Sequence, residues 1–202
     1  IRIKGFIPNS IFIWDLHACS FVWFYSLEEK RSSTDMKRII FTGPESSGKS
    51  TIAQRIANYF SANYQAEYAR EFLNQTAGNY TYEDLDRIAI EQEKRWNSFE
   101  TGNLQICDTD YLVLKIWSTY KFGKVSPLLE QGFQLQTCEH YFLCFPDIPW
   151  EPDPLRENEH ERHELLQMYQ AELEVANVSY SILKGNEEER FQVCKAWIEK
   201  LI

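Results

Sequence analysis

The stretch Gly43-Pro44-Glu45-Ser46-Ser47-Gly48-Lys49-Ser50-Thr51 stands directly behind the apolar run Ile39-Ile40-Phe41. Apolar side chains then recur at helical spacing, at Ile52, Ala53, Ile56, Ala57 and Phe60. A strand, a glycine-containing loop and a helix in this order are typical of a phosphate-binding P-loop. The glycines let backbone N–H groups turn toward an anion, Lys49 reaches the terminal phosphates, and the Ser50 hydroxyl ligates Mg²⁺. The sequence therefore predicts a nucleotide site, at Gly43, Glu45, Ser46, Ser47, Gly48, Lys49, Ser50 and Thr51.

The net charge and the cysteine count indicate which class of ligand and which cellular compartment to expect. The chain has 202 residues and a net charge of −9, which argues against a broad contact with a nucleic-acid backbone. We therefore expect a small-molecule partner, with no nucleic acid and no membrane. Five cysteines, an odd number without a C-x-x-C pair, favour a reducing, cytoplasmic compartment.

The first 35 residues differ from the remainder. They are rich in aromatic residues, show no steady period and carry no cleavage site of the kind that ends a signal peptide. Met36 stands immediately before the first predicted strand. We predict a non-domain extension over 1–35 and one domain over 36–202, with Met36 as the natural start.

Strand-like and helical segments alternate after the P-loop, and this pattern predicts an α/β fold. Five strands are expected near 37–42, 64–67, 104–108, 139–144 and 178–183. We predict a P-loop NTPase fold in which a mainly parallel sheet carries helices on both faces. The proline-rich run at 146–162 interrupts the alternation and is interpreted as a lid over the site.

Two acidic residues end the predicted third strand. A P-loop requires a carboxylate near its Mg²⁺, often at the end of a neighbouring buried strand. Asp108 fits this Walker B position, and Asp110 is a candidate for the same cleft. The alternative is that both residues cap the helix that follows.

A second group of polar residues follows the second predicted strand, which we expect beside the P-loop strand. Glu67 is a candidate base for an acceptor hydroxyl, and Arg70 is a candidate cation. Within the lid, Arg156 or Arg162 is expected to reach the β- and γ-phosphates. Each of these residues also suits a solvated helix start or surface, so that alternative stays open. Trp150 offers a stacking surface, although packing explains an aromatic residue equally well.

Taken together, these motifs resemble the nicotinamide riboside kinase domain of the bacterial NadR family. The likeness covers about 36–202 and rests on the P-loop, on Glu67-Tyr68-Ala69-Arg70-Glu71, on Asp108-Thr109-Asp110 and on the lid. Gly185, with Glu189-Arg190, resembles the family's last loop near the adenine. This chain has Pro154 where the family's lid has a glycine, and it lacks the H-x-G-H motif of an adenylyltransferase.

The resemblance implies transfer of the γ-phosphate of ATP to the 5′-hydroxyl of nicotinamide riboside. Lys49, Asp108, Glu67 and Arg156 would then be catalytic, with Ser50 and Asp108 binding Mg²⁺. Glu67, Arg70, Asp110 and Trp150 would contact the acceptor, Trp150 at the nicotinamide ring. The resemblance does not decide whether Glu67 or Asp108 is the base.

Two other functions fit the same P-loop. One is a kinase for another small molecule, such as a nucleoside or nucleotide. The other is a nucleotide-dependent switch, which is disfavoured because no N-K-x-D motif occurs and Tyr111 replaces the D-x-x-G glycine.

Overall fold

The computed structural model describes residues 36–99 and 102–202. Across these ranges the chain forms five strands: β1 (Lys37–Thr42), β2 (Asn63–Gln65), β3 (Leu104–Asp108), β4 (His140–Cys144) and β5 (Tyr180–Leu183). The same ranges hold seven helices: α1 (Lys49–Phe60), α2 (Tyr68–Gln75), α3 (Tyr82–Trp96), α4 (Tyr111–Phe122), α5 (Pro127–Leu135), α6 (Arg162–Val175) and α7 (Glu187–Leu201). The five predicted strands are confirmed, with small differences at their ends.

The strands form one parallel sheet in the order β2-β3-β1-β4-β5. Each connection contains at least one helix, as a parallel crossover requires. The predicted P-loop fold is therefore confirmed. One expectation was wrong, because β2 lies at the sheet edge and β3 separates it from β1. Glu67 consequently approaches the P-loop from beyond Asp108 rather than from the adjacent strand.

Apolar side chains cover both faces of the sheet, because a buried parallel strand needs a packed layer on each side. Ile39 and Phe41 pack with α1 and α7 on one face. Ile40 points to the other face, where α3, α4, α5 and α6 supply the core. Helices thus lie on both faces, as the sequence predicts.

Side-chain caps mark the starts of α3, α4, α5 and α7. Thr81 begins α3 in a capping box with Asp84, and Ser126 caps α5. Helix α3 buries Leu85, Ile88, Ala89, Gln92 and Trp96, and α6 buries Leu165, Leu166, Tyr169 and Leu173. Helix α3 ends before Phe99, and Ala176 is the exposed C-cap of α6.

The predicted extension at 1–35 lies outside the described residues. Among the helices that the structure describes, none has the length and apolar character needed to cross a membrane.

Candidate active site

The P-loop joins β1 to α1 at the carboxyl edge of the sheet. Gly43 adopts φ 129°, and a Cβ there would lie 2.7 Å from the Cys144 carbonyl oxygen. Gly48 is the N-cap of α1 with φ 80°, also in the left-handed region. Lys49 lies at the first turn of α1, and its Nζ donates to the Pro44 carbonyl across 2.8 Å. The loop therefore needs glycine at both positions to take the shape of an anion cradle.

Asp108 ends β3 beside this loop and is only 2% exposed. Its Oδ2 accepts a hydrogen bond from Tyr64 Oη at 3.5 Å, and the Ser50 hydroxyl lies near the carboxylate. Burial raises the pKa of Asp108, while Ser50 and the Lys49 ammonium lower it. Its Oδ1 is buried and accepts no hydrogen bond from the described residues.

The Ser50 and Asp108 oxygens form a donor set that fits Mg²⁺. This ion prefers oxygen ligands and is commonly held by one or two carboxylates together with substrate phosphates. Within the described ranges, no group of three or more His, Cys, Asp or Glu residues is placed to hold a metal. The Asp108 oxygen without a hydrogen-bond donor, close to the P-loop hydroxyl, is therefore the feature available to such an ion.

Glu67 is the N-cap of α2, and its carboxylate lines the same cleft. Burial and, to a smaller extent, repulsion from the Asp108 carboxylate raise the pKa of Glu67 to about 7. The charges of Lys49 and Arg70 oppose this shift. A carboxyl with a pKa near neutrality can accept a proton at physiological pH. Glu67 thus places a carboxyl of raised pKa in the cleft beside the P-loop.

The segment predicted as a lid lies against the P-loop. Arg156 Nη1 donates to Ser46 Oγ across 3.3 Å, and Arg162 Nη1 donates to the Ser46 carbonyl across 3.2 Å. Arg70, on α2, forms a salt bridge with Asp153 of the lid at 2.9 Å. The segment therefore brings two guanidinium groups to the P-loop, of which Arg156 also lines the cleft.

The cleft has a volume of about 160 Å³. It lies between the P-loop, α2, α4, α6 and the lid. A neighbouring cavity of about 220 Å³ shares four lining residues with it: Glu45, Leu73, Trp117 and Leu155. Tyr80 and Trp117 stack in that second cavity, with ring centroids 5.9 Å apart.

Residues 38–190 match the AAA domain family. The chain belongs to this family. Two trifunctional NAD biosynthesis/regulator proteins, both named NadR, are similar to this chain. The protein of Salmonella typhimurium is 25% identical over 60% of the chain, and that of Escherichia coli is 23% identical over 83%. These matches cover 31% and 43% of the two proteins, so the chain spans less than half the length of the curated relatives it matches.

Solved structures agree on the fold of the AAA domain chain. A NadR protein in complex with NR has a TM-score of 0.67 and 18% identity, over 82% of this chain and 51% of that one. Thymidylate kinase from Ehrlichia chaffeensis has a TM-score of 0.60 and 14% identity, over 82% of this chain and 100% of that one. The resemblance to the NadR family predicted from the motifs is confirmed.

The AAA domain brings most of the predicted site residues to one cleft. The members that line it are Gly43, Glu45, Ser46, Ser47, Gly48, Lys49, Ser50, Thr51, Glu67, Arg70 and Arg156. Asp108 adjoins them, because it pairs with Phe41 in the sheet at the start of the P-loop and lies near the Ser50 hydroxyl.

Asp110, Trp150 and Gly185 lie away from the lining of the cleft. Asp110 is the N-cap of α4, and its carboxylate accepts hydrogen bonds from Gln136 Nε2 and Tyr141 Oη, both at 2.6 Å. The capping alternative is thus confirmed for Asp110, and its predicted place facing the cleft is corrected. The Trp150 ring lies under the guanidinium groups of both lid arginines, at 5.8 and 5.6 Å from its centroid. Gly185 donates its N–H to Asp147 across 2.7 Å. The predicted ligand contacts of Trp150 and Gly185 stay predictions.

Sequence reasoning missed the structural role of Arg190. Its guanidinium is 2% exposed and donates to the carbonyls of Ser47, Phe145 and Gly185 at 2.6, 2.8 and 2.9 Å. It also pairs with Asp147. The P-loop, the end of β4 and the β5–α7 turn are therefore fastened by one side chain. No spacing rule predicts these partners, since they lie 5 to 143 residues away in the chain.

Proposed function

We propose that this protein transfers the γ-phosphoryl group of ATP to the 5′-hydroxyl of nicotinamide riboside, giving nicotinamide mononucleotide. The observation that carries the proposal is the grouping of Glu67, Lys49 and Asp108 at one P-loop. A phosphate cradle alone fits many nucleotide-binding proteins. A buried acid for the metal, together with a second carboxylate that titrates near neutrality, fits a kinase, which must also deprotonate an acceptor.

Each group has a distinct task in this reaction. The Lys49 ammonium and the Arg156 guanidinium offset the charge that develops on the transferred phosphoryl group. Glu67 orients the acceptor hydroxyl and takes its proton, while Asp108 and Ser50 hold Mg²⁺. When bound, the ion supplies positive charge to the β- and γ-phosphates. We assign the base to Glu67 because its pKa is raised to about 7, while Asp108 serves the ion in this proposal.

The choice of nicotinamide riboside rests on the similarity to the NadR proteins. The matched region holds the P-loop, Glu67, Arg70 and the lid. The solved NadR structure is a complex with NR, and a second one contains NAD and AMP-PNP. A riboside in one structure and an ATP analogue in the other suit a site that joins a phosphate cradle to a riboside acceptor.

The test incubates the purified chain with ATP, Mg²⁺ and nicotinamide riboside, and measures nicotinamide mononucleotide and ADP by chromatography. We expect the two products in equal amounts. A parallel panel of ribonucleosides, deoxynucleosides and their monophosphates addresses the other kinase substrates. Rapid turnover of one of those compounds, with none of nicotinamide riboside, would replace the acceptor and keep the kinase. Nucleotide binding without phosphorylation of any acceptor would favour a switch and refute the proposal.

A further inference from the structure

Glu45 belongs to the P-loop by sequence, yet its carboxylate bonds to the lid. Its Oε2 accepts the backbone N–H groups of Glu157 and Asn158, each across 3.0 Å. Hydrogen bonds to an ionised acceptor are the stronger kind, and here one oxygen holds two successive peptide units. The lid has no strand or helix between residues 146 and 161 that would fix these amides otherwise.

The same turn of the lid also bonds to residues that line the second cavity. The Glu157 carboxylate accepts from Tyr80 Oη at 3.1 Å and from Lys121 Nζ at 3.0 Å. Tyr80 precedes α3, and Lys121 lies in the last turn of α4. Glu157 therefore links the P-loop to the α2–α3 turn and to α4, which both contribute to the lining of the second cavity.

A second hydrogen bond joins the P-loop to the lid. The backbone N–H of Glu151 donates to Ser46 Oγ across 3.0 Å. Two consecutive P-loop side chains thus accept hydrogen bonds from lid amides. Both side chains are partly buried at the mouth of the cleft.

We propose that Glu45 is a positioning residue that latches the lid over the P-loop, so that the acceptor rather than water receives the phosphoryl group. The inference rests on the proposed kinase activity. In the coupled reaction the acceptor oxygen bonds to the γ-phosphorus, the bond to the β-bridging oxygen breaks, ADP leaves, and Glu67 takes the hydroxyl proton. With the lid open, water attacks instead, and the products are ADP and inorganic phosphate. A closed lid favours the first outcome because it excludes water.

Three variants separate the latch from a general effect of charge. Glu45→Ala removes both hydrogen bonds, and Glu45→Gln keeps an oxygen that accepts them without the charge. Glu159→Ala is the matched control, since Glu159 is an exposed lid carboxylate. Urea midpoints establish that all three proteins are folded.

The first readout is amide hydrogen exchange at residues 157 and 158 of the full chain without ligand. We expect exchange in Glu45→Ala to be at least about tenfold faster than in the wild type, because two charge-assisted hydrogen bonds are lost. Glu45→Gln should show an intermediate rate, and Glu159→Ala the wild-type rate. Unchanged protection in Glu45→Ala overturns the latch.

The second readout is the ratio of inorganic phosphate to phosphorylated acceptor, measured with the best acceptor of the panel. Glu45→Ala should raise this ratio several-fold and lower kcat, with a smaller change in the KM for ATP. An unchanged ratio overturns the coupling role.

The two readouts keep the proposals distinguishable. Faster exchange at residues 157 and 158 supports the latch even where nicotinamide riboside is not phosphorylated. Conversely, a wild type that makes nicotinamide mononucleotide, with a Glu45→Ala variant unchanged in both readouts, refutes the latch and leaves the kinase intact.

Discussion

Replacing Arg190 with methionine should destabilise the protein more than any exposed ion pair would suggest. The guanidinium is 2% exposed and serves three carbonyls and one carboxylate. Methionine fills much of the same volume but donates no hydrogen bond. The three carbonyls lose this donor, and Asp147 loses its cation.

The magnitude follows from what is left unpaired. Removing one partner of a buried ion pair costs about 3–5 kcal/mol, and each orphaned buried acceptor costs about 1–3 kcal/mol. These costs are not additive, since the Asp147 side chain is 29% exposed and the turns can relax toward water. We therefore expect a loss of about 3–5 kcal/mol in the free energy of unfolding, or roughly 6–20 °C in Tm. The free energy of unfolding of Arg190→Lys should lie between those of the wild type and Arg190→Met, because one ammonium cannot reach all four acceptors.

Urea denaturation followed by tryptophan fluorescence measures the loss, and calorimetric titration with an ATP analogue measures its effect on the P-loop. Nucleotide binding should weaken as well, because Arg190 holds the Ser47 carbonyl. Arg55→Met is the matched control: Arg55 also pairs with acidic residues of α7, but at the solvent-exposed surface. A loss below about 1 kcal/mol in Arg190→Met would refute the reasoning.

Three further predictions concern charge in and near the cleft. Lys49→Ala should lower kcat by about a hundredfold or more, because the ammonium opposes charge on the transferred phosphoryl group; initial rates at saturating ATP measure this, and near-normal turnover would contradict the assigned role. Burial and the charge of Asp108 raise the pKa of Glu67 to about 7, and a base acts when ionised. The rate should therefore rise with pH through about 7 in the wild type, and Glu67→Gln should be slow and lack this rise. Burial raises the pKa of Asp110 from 3.8 to about 6, so the folded state binds more protons than the unfolded state between these values. The free energy of unfolding should thus fall as pH rises from about 4 to about 6, and Asp110→Asn should remove that part of the slope in urea titrations; parallel slopes would show that Asp110 does not titrate there.

Local sequence was sufficient wherever the decisive physics is local. The P-loop can be recognised from the sequence because its turn requires glycine at positions a few residues apart. Gly43 and Gly48 both have positive φ. The helix starts at Thr81 and Ser126 are equally local, since a cap bonds to an amide two or three residues away. Strands β1, β3 and β4 were found because each contains an apolar run, whereas β2 (Asn63–Gln65) is short and largely polar.

Reasoning from spacing failed where distant elements meet. The order of β2, β3 and β1 depends on how the crossovers pack, so the neighbour of the P-loop strand was assigned wrongly. Asp110 stands two residues after Asp108, but it serves as a helix cap bonded to Gln136 and Tyr141. The carboxylates of Asp108 and Asp110 therefore have different surroundings, and this difference arises only from tertiary packing.

The sequence by itself determined that this chain has a phosphate cradle, an alternating α/β architecture and an acid at the end of an apolar strand. Only the tertiary structure decided that Glu67 and Asp108 repel each other across the cleft, that Arg190 fastens three loops, and that Glu45 holds the lid. The physical reason is range. Backbone conformation and apolar periodicity are set by neighbours in the chain, whereas burial, charge repulsion and lid contacts depend on groups that meet only after folding.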